Sequence, residues 1–330
     1  MHRHFINYPT LVIGLVAGLA FGYGVASVRG QSQLASVLAS IHPIRLQNQQ
    51  YTFINPLVAY ETPETTTLKE YQVLKDEIQQ LIDARRSSIN RISVYYRNLN
   101  TGDWIGINQN DTYYPASLLK VPVMIAYFRE AEKNPSLLQN RIVYRSVTGG
   151  DPFEVQSTLV PGTSYSTIEM IEKMIIDSDH GAAYTLLDHI EQSTLDEVYT
   201  DIGISKPGPD TSAYQISTRT YALFVRILYN AKYLSPEYSQ KALDLLSRTT
   251  YKDALMAGLP SDTKAVHKYG EHVVSGDRKK IGGVELHDCG IVYRPEQHYL
   301  LCVMTETKTP ESGAEIIKTI SKTTFDAGGK

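Results

Sequence analysis

Ser117 and Lys120 lie three residues apart at the start of the largely apolar stretch SLLKVPVMIAYF. On a helix this spacing puts both side chains on one face, and a serine in the first turn lies close to unpaired backbone N–H groups. A partly buried lysine can lose its proton and then accept that of the serine, which would make Ser117 a nucleophile. The pair would equally suit the start of an ordinary buried helix. The same spacing at Ser261 and Lys264 follows Pro260 in an expected loop and is set aside.

Two further polar motifs interrupt apolar segments later in the chain. Ser178-Asp179-His180 separates two helical patterns, where the serine hydroxyl could relay a proton from a lysine to a leaving group or could simply cap a helix. Lys268-Tyr269-Gly270 lies inside a strand pattern. Its lysine could bind a substrate carboxylate or lie exposed on an edge strand, and its glycine leaves room for a ligand beside the strand backbone.

The elements that would position these motifs follow from hydrophobic periodicity. The patterns in chain order are a helix at 68–86, strands at 91–99 and 104–108, a block of helices, a strand at 264–272, a hairpin of 285–294 and 297–306, and a helix at 312–327. This order predicts one antiparallel sheet built from both ends of the segment. An all-helical region at about 121–260 is inserted between those ends.

Together, the Ser-x-x-Lys, Ser-Asp-x and Lys-x-Gly motifs resemble those of the penicillin-recognising serine hydrolases, and most closely the class A β-lactamases. The resemblance covers roughly residues 68–327. It implies an α/β (α+β) protein with a β-lactamase-like fold, in which an antiparallel five-stranded sheet is flanked by helices and carries an inserted all-helical subdomain. The hydrolase domain would then span residues 67–330.

The resemblance also implies a catalytic role for three residues. Ser117 would be the nucleophile that forms an acyl-enzyme, and Lys120 would activate it. Ser178 would pass a proton to the leaving nitrogen of the substrate. The substrate would be a β-lactam, a D-Ala-D-Ala type peptide from the cell wall, or another acyl donor.

The substrate-binding residues that the resemblance implies lie mainly on the strand at 264–272. Lys268 would bind the substrate carboxylate and support Ser178. The backbone N–H of Ser117, with that of Glu271 or His272, would form the oxyanion hole. The implied substrate-binding set is Lys268, Gly270, His180, Tyr269 and Glu271.

The chain departs from the family pattern at three places. His180 replaces the usual asparagine of the second motif, and Tyr269 replaces the usual threonine or serine of the third. The loop glutamate that activates the hydrolytic water in class A β-lactamases has no counterpart, because Asp210 is the only carboxylate between Gly203 and Thr220. Relative to the family pattern, the loop within residues 203–220 is expected to be trimmed. Asp210 follows a Gly-Pro pair and is expected to cap a turn, although it could activate water if it folded inward.

The missing glutamate bears on only one half of the reaction. Acylation needs the serine, the lysine, the relay and the oxyanion hole, whereas deacylation needs a base that activates water. We therefore expect an acyl-enzyme that forms and is hydrolysed slowly, as in a penicillin-binding protein. The alternative is a non-catalytic module on the same fold that binds or senses cell-wall fragments or β-lactams.

The N-terminus predicts an exported protein. Residues 10–28 carry no charge and are long enough to cross a bilayer, which favours a membrane anchor in residues 1–29 over a cleaved signal peptide. Residues 30–66 are rich in Gln, Ser, Thr and Pro and are interpreted as a spacer. The protein would be membrane-anchored or secreted, and its hydrolase domain would lie outside the cytoplasm.

Composition excludes several function classes. The net charge of −3 and the lack of a basic patch argue against nucleic-acid binding. The residue spacing suggests neither a metal site nor a cofactor, and nothing in the sequence indicates an oligomeric state. Cys289 and Cys302 would face each other in the predicted hairpin, so they form either a disulfide or two buried free thiols.

Overall fold

The computed structural model describes residues 42–45, 51–61, 69–145, 157–208, 210–275, 281–295 and 297–328. The chain divides into a small unit, Met1–Ile44 with Ala59–Thr67, and a large unit, Arg45–Val58 with Leu68–Lys330. The predicted anchor in residues 1–29 lies outside the described residues. In the part of the chain that is described, no helix is long and apolar enough to cross a membrane.

The large unit is built around a five-stranded antiparallel sheet. Its strands are β3 (Ile89–Asn98), β4 (Trp104–Ile107), β9 (Lys264–Ser275), β10 (Ile281–Arg294) and β11 (Gln297–Thr307), in the order β4-β3-β11-β10-β9. The other elements are β1 His42–Arg45, β2 Leu57–Glu61, α1 Lys69–Ala84, β5 Thr112–Tyr113, α2 Lys120–Lys133, β6 Arg141–Val143, β7 Ser164–Ser166, α3 Thr167–Ile176, α4 His180–Leu187, α5 Gln192–Asp201, β8 Ile216–Ser217, α6 Thr218–Tyr229, α7 Pro236–Ser247 and α8 Pro310–Ala327.

The sheet is covered on both faces, which follows from the alternation of side chains along its strands. On β11, Leu300 and Met304 belong to the core shared with the helical region α2–α7. Leu301 and Val303, one residue out of phase, belong to a second core with α1 and α8. The predicted fold class is therefore confirmed: the sheet comes from both ends of the segment, and the helices lie between them.

Local signals in the sequence fix several element boundaries. Ser166 and Glu169 form a capping box at the start of α3, each side chain accepting from the other residue's backbone N–H. Pro122 lies in the first turn of α2, where a missing N–H does no harm. Ser261 lies in a turn before β9, which agrees with setting aside the second Ser-x-x-Lys pair.

The hairpin of β10 and β11 has the predicted register. Arg294 lies opposite Gln297 at the turn, and Cys289 lies opposite Cys302. Of the two alternatives left open for the cysteines, the disulfide is the one present. It joins β11 to β10, and β10 in turn pairs with β9, where Lys268 lies opposite Cys289 across the ladder.

Part of the segment interpreted as a spacer, residues 51–56, packs against the rest of the large unit. Ile54 is buried, and the ring of Phe53 lies 5.4 Å from that of Tyr293 on β10. The backbone N–H of Asn55 donates to the carbonyl oxygen of Tyr229 at 2.8 Å. Residues 51–56 therefore belong structurally with the predicted hydrolase domain.

Candidate active site

Ser117 lies in a short 3₁₀ turn, Ala116–Leu119, that leads directly into α2. Ala116, immediately before it, has a φ of +49°, a conformation that is uncommon for residues other than glycine and clusters at functional sites. Lys120 is the first residue of α2, and its Nζ lies 3.0 Å from Ser117 Oγ. The predicted pair is thus in direct contact at the start of a buried helix.

Two strands of the sheet hold this turn in place. The Nε2 of His287, on β10, donates to the carbonyl oxygen of Tyr114 at 3.0 Å. Burial lowers the pKa of His287 to about 4, so the imidazole stays neutral as a donor. On β9, a Cβ added to Gly270 would lie only 2.7 Å from the carbonyl oxygen of Pro115 and 3.2 Å from the backbone N of Ser117. Only glycine lets the strand approach the nucleophile so closely.

The second motif joins α3 to α4 and faces the same lysine. Ser178 has a φ of +57°. Its carbonyl oxygen and its Oγ accept from Lys120 Nζ at 2.5 and 3.1 Å. Asp179 caps α4 by accepting from the backbone N–H of Ala182 at 2.7 Å. His180 is the first residue of that helix, and its Nε2 lies 3.4 Å from Ser117 Oγ.

The third motif completes the polar network. The Nζ of Lys268 donates to Ser178 Oγ at 2.9 Å, so Ser178 lies between two lysines. Lys268 is only 1% exposed. Desolvation lowers its pKa to about 7 against the opposing attraction of Asp288 on β10, which itself contacts the buried His267 at 2.8 Å. Lys268 can therefore exchange a proton with Ser178 near neutral pH.

A cavity of about 690 Å³ opens in front of this network. Among the predicted site residues, Ser117, Lys120, His180 and Glu271 line it, as does His272, whereas Ser178 and Lys268 are buried behind it. The apolar wall of the cavity was not predicted from the sequence, because helical periodicity identifies its residues only as members of the core. That wall includes Leu119, Val123, Ala183, Leu187, Leu195 and Tyr199.

A sequence model of the Beta-lactamase enzyme family matches residues 73–327, which includes every residue of the network. The chain belongs to this family. A curated β-lactamase from Streptomyces albus G is 23% identical over 265 residues, which cover 73% of this chain and 80% of that protein. The resemblance stated from the three motifs is thereby confirmed.

Solved structures agree with this assignment. A PBP-A variant in an acyl-enzyme complex with penicillin G has 25% identity and a TM-score of 0.65 over 78% of this chain and 97% of that one. The class A β-lactamase from Mycobacterium abscessus shares the fold, with 20% identity and a TM-score of 0.65 over 78% of this chain and 100% of that one. The protein is a serine hydrolase of the β-lactamase and penicillin-binding type.

Tyr269, which replaces the usual threonine or serine of the third motif in this β-lactamase-family hydrolase, points away from the cavity. The ring of Tyr269 stacks on that of Tyr251 at 4.0 Å. Lys268 Nζ lies 4.4 Å from the centroid of the Tyr269 ring. Burial raises the pKa of Tyr269, so the phenol keeps its proton. Tyr269 therefore packs beside the buried lysine and does not line the cavity.

The Asp210 carboxylate, in the loop within residues 203–220, is hydrogen-bonded to a residue of the same loop. The Oδ1 of Asp210 accepts from the backbone N–H and the hydroxyl of Ser212 at 3.0 and 2.5 Å, which lowers the pKa of the carboxyl. The prediction that Asp210 caps a turn is confirmed.

Among the described residues of this hydrolase, no cluster of three or more His, Cys, Asp or Glu side chains is arranged to hold a metal ion.

Proposed function

We propose that the protein is an acyl-enzyme hydrolase that attacks β-lactams or acyl-D-Ala type amides through Ser117 and releases the acyl group slowly. The observation that carries this proposal is the chain of contacts from Ser117 Oγ to Lys120 Nζ, Ser178 Oγ and Lys268 Nζ, each between 2.9 and 3.1 Å. The chain links a nucleophile to two amines through a hydroxyl that can carry a proton between them.

Acylation would proceed along this chain. Lys120, in its neutral form, takes the proton of Ser117 Oγ, which bonds to the substrate carbonyl carbon. The backbone N–H of Ser117 and one from β9 stabilise the resulting oxyanion. The C–N bond then breaks, and Ser178 gives its hydroxyl proton to the leaving nitrogen. Lys268, whose pKa of about 7 lets it donate near neutrality, returns a proton to Ser178.

Slow release is supported by the state of the trimmed loop. A water molecule that attacks the acyl-enzyme needs a base beside the ester. Asp210 is exposed and bound to Ser212, which leaves it poorly placed for that task. The penicillin-G acyl-enzyme of the related PBP-A variant gives a precedent for trapping such a species.

The experiment follows the purified full-length chain by intact mass spectrometry during incubation with a fluorescent penicillin and a chromogenic cephalosporin. We expect stoichiometric, long-lived labelling that is lost in Ser117→Ala and is slowed by orders of magnitude in Lys120→Ala. Ser261→Ala and Lys264→Ala, from the second Ser-x-x-Lys pair, are the matched controls and should label normally. Rapid sustained turnover would contradict slow release, and unchanged labelling of Ser117→Ala would exclude this nucleophile.

A second candidate function is a non-catalytic receptor for cell-wall fragments or β-lactams on the same fold. The cavity of about 690 Å³ and its apolar wall could hold a ligand without a reaction. This alternative predicts saturable binding of the penicillin with neither adduct nor turnover. That outcome in the same mass spectra would replace the enzymatic proposal.

We also propose that the protein acts outside the cytoplasm, either anchored through residues 1–29 or secreted after their removal. The disulfide between Cys289 and Cys302 supports an oxidising compartment. The measurement is the mass of the mature protein recovered from membrane and soluble fractions. An intact chain in the membrane fraction indicates an anchor, a shortened soluble chain indicates a signal peptide, and an intact chain in the cytosol contradicts both.

A further inference from the structure

His180 is a titratable side chain that lines the cavity and approaches the nucleophile. Among the residues that the structure describes, the side-chain nitrogens of Lys120 and His180 lie within hydrogen-bond distance of Ser117 Oγ. Lys120 Nζ also donates to Ser178 O and Oγ, and in the proposed acylation it has already taken the proton of Ser117. His180 is only partly buried and lines the cavity. A water molecule can therefore reach the space between its ring and an acyl group on Ser117.

The carboxylates near the cavity are less well placed for activating water. Asp196 forms an ion pair with Lys206, and hydrogen bonds from Lys206 and Gln192 lower its pKa. Asp210 is bound to Ser212 in the trimmed loop. Glu271 lines the cavity from β9 and is the remaining one of these carboxylates that could activate water, so the experiment below includes it.

We propose that His180 is the general base that activates water to hydrolyse the Ser117 acyl-enzyme, an inference that rests on the proposed function. Histidine is the side chain whose charge changes between pH 5 and 8, so it can accept a proton near neutrality. The neutral Nε2 takes a proton from water, and the water oxygen bonds to the acyl carbon. The tetrahedral oxyanion then collapses, the bond to Ser117 Oγ breaks, and Nε2 returns its proton to that oxygen.

The position of the ring suits this role and also limits its rate. Asp179 caps α4 and fixes the turn that carries His180. The distance of 3.4 Å from Nε2 to Ser117 Oγ is long for a hydrogen bond. The attacked carbon would be one bond from Oγ, so a water molecule held by the ring would lie close to that carbon. General bases contribute about 10²- to 10⁴-fold to a rate, and a loosely placed one should lie at the low end.

The experiment separates formation of the acyl-enzyme from its decay. The full-length chain is labelled with fluorescent penicillin, free penicillin is removed, and the adduct on Ser117 is followed by mass spectrometry. The variants are His180→Asn, which restores the usual family residue, and His180→Ala. Glu271→Gln tests the competitor. His189→Ala, just beyond the other end of α4, is the matched control.

In both His180 variants we expect the adduct to decay about 10²-fold more slowly, a loss much larger than any loss in the acylation rate. Added imidazole should restore part of the decay rate in His180→Ala and should not change that of His180→Asn. His189→Ala should decay at the wild-type rate, and any slowing of decay in Glu271→Gln should be much smaller than that in the His180 variants.

Four outcomes overturn the inference while leaving Ser117 as the nucleophile. The first two are decay in His180→Asn as fast as in the wild type and parallel loss of acylation and decay in both His180 variants. The others are slowed decay in Glu271→Gln instead of in the His180 variants, and an adduct on the wild type that never decays. If the wild type forms no adduct, the proposed function itself fails, and the role of His180 fails with it.

Discussion

Gly270→Ala tests how closely β9 must approach the nucleophile. The added Cβ would lie 2.7 Å from the carbonyl oxygen of Pro115, whereas ordinary contact begins at 3.4 Å, so one backbone must move by roughly 0.7 Å. The atoms that meet the Cβ are backbone atoms of the turn that carries Ser117, and no flexible side chain can yield instead. The displacement is therefore transferred to the nucleophile or to the N–H groups of β9.

A misplacement of about 1 Å in a reacting group can cost about 10²-fold in rate. We expect Gly270→Ala to acylate about 10²-fold more slowly, which corresponds to about 3 kcal/mol of activation free energy. The assay is the rate constant for labelling by fluorescent penicillin, measured on protein whose thermal unfolding shows that it is folded.

Gly208→Ala is the control, because a Cβ at Gly208 would meet nothing within 4 Å. It should acylate at nearly the wild-type rate. If Gly270→Ala acylates within threefold of wild type and unfolds at the same temperature, the strand does not constrain the turn and the reasoning is wrong. A loss of the same size in Gly208→Ala would show that the assay does not report on this contact.

Three further predictions concern stability. Lys268→Met removes a buried amine whose pKa falls from 10.5 to about 7 on folding; the cost of burying its charge is fully present below pH 7 and lost towards pH 10.5. The unfolding free energy of the wild type should therefore rise by about 4 kcal/mol relative to that of the variant between pH 6 and pH 10 in denaturant titrations. A difference between the two proteins that stays constant with pH would contradict the low pKa. Reduction of the disulfide, or Cys289→Ala with Cys302→Ala, should lower the unfolding free energy by about 2 to 3 kcal/mol in the same titration, and equal stability with and without reductant would show that the bond contributes nothing. Ser166→Ala should cost about 1 kcal/mol by removing the capping box with Glu169, whereas Ser261→Ala, in a turn, should cost nothing measurable.

Local sequence patterns were enough to predict the order of the elements and the motifs that they carry. Hydrophobic periods of 3.6 and 2 residues identify helices and strands because those periods are set by local backbone geometry. The register of the β10–β11 hairpin follows from its short turn in the same way, which is why the pairing of Cys289 with Cys302 could be predicted. The three motifs, read in order, were enough to indicate the family.

The contacts and pKa values of the site residues depend on long-range packing and are visible only in the tertiary structure. Helix and strand patterns could not show that His180 lies 3.4 Å from Ser117 Oγ, because the two residues are 63 positions apart in the chain. Nor could they show that Tyr269 packs on Tyr251 and does not line the cavity. The pKa of Lys268 depends on burial from all sides, and desolvation is a property of the packed core rather than of neighbours in sequence. Distances and dielectric surroundings arise from long-range packing, and they separate a list of suitable residues from a working site.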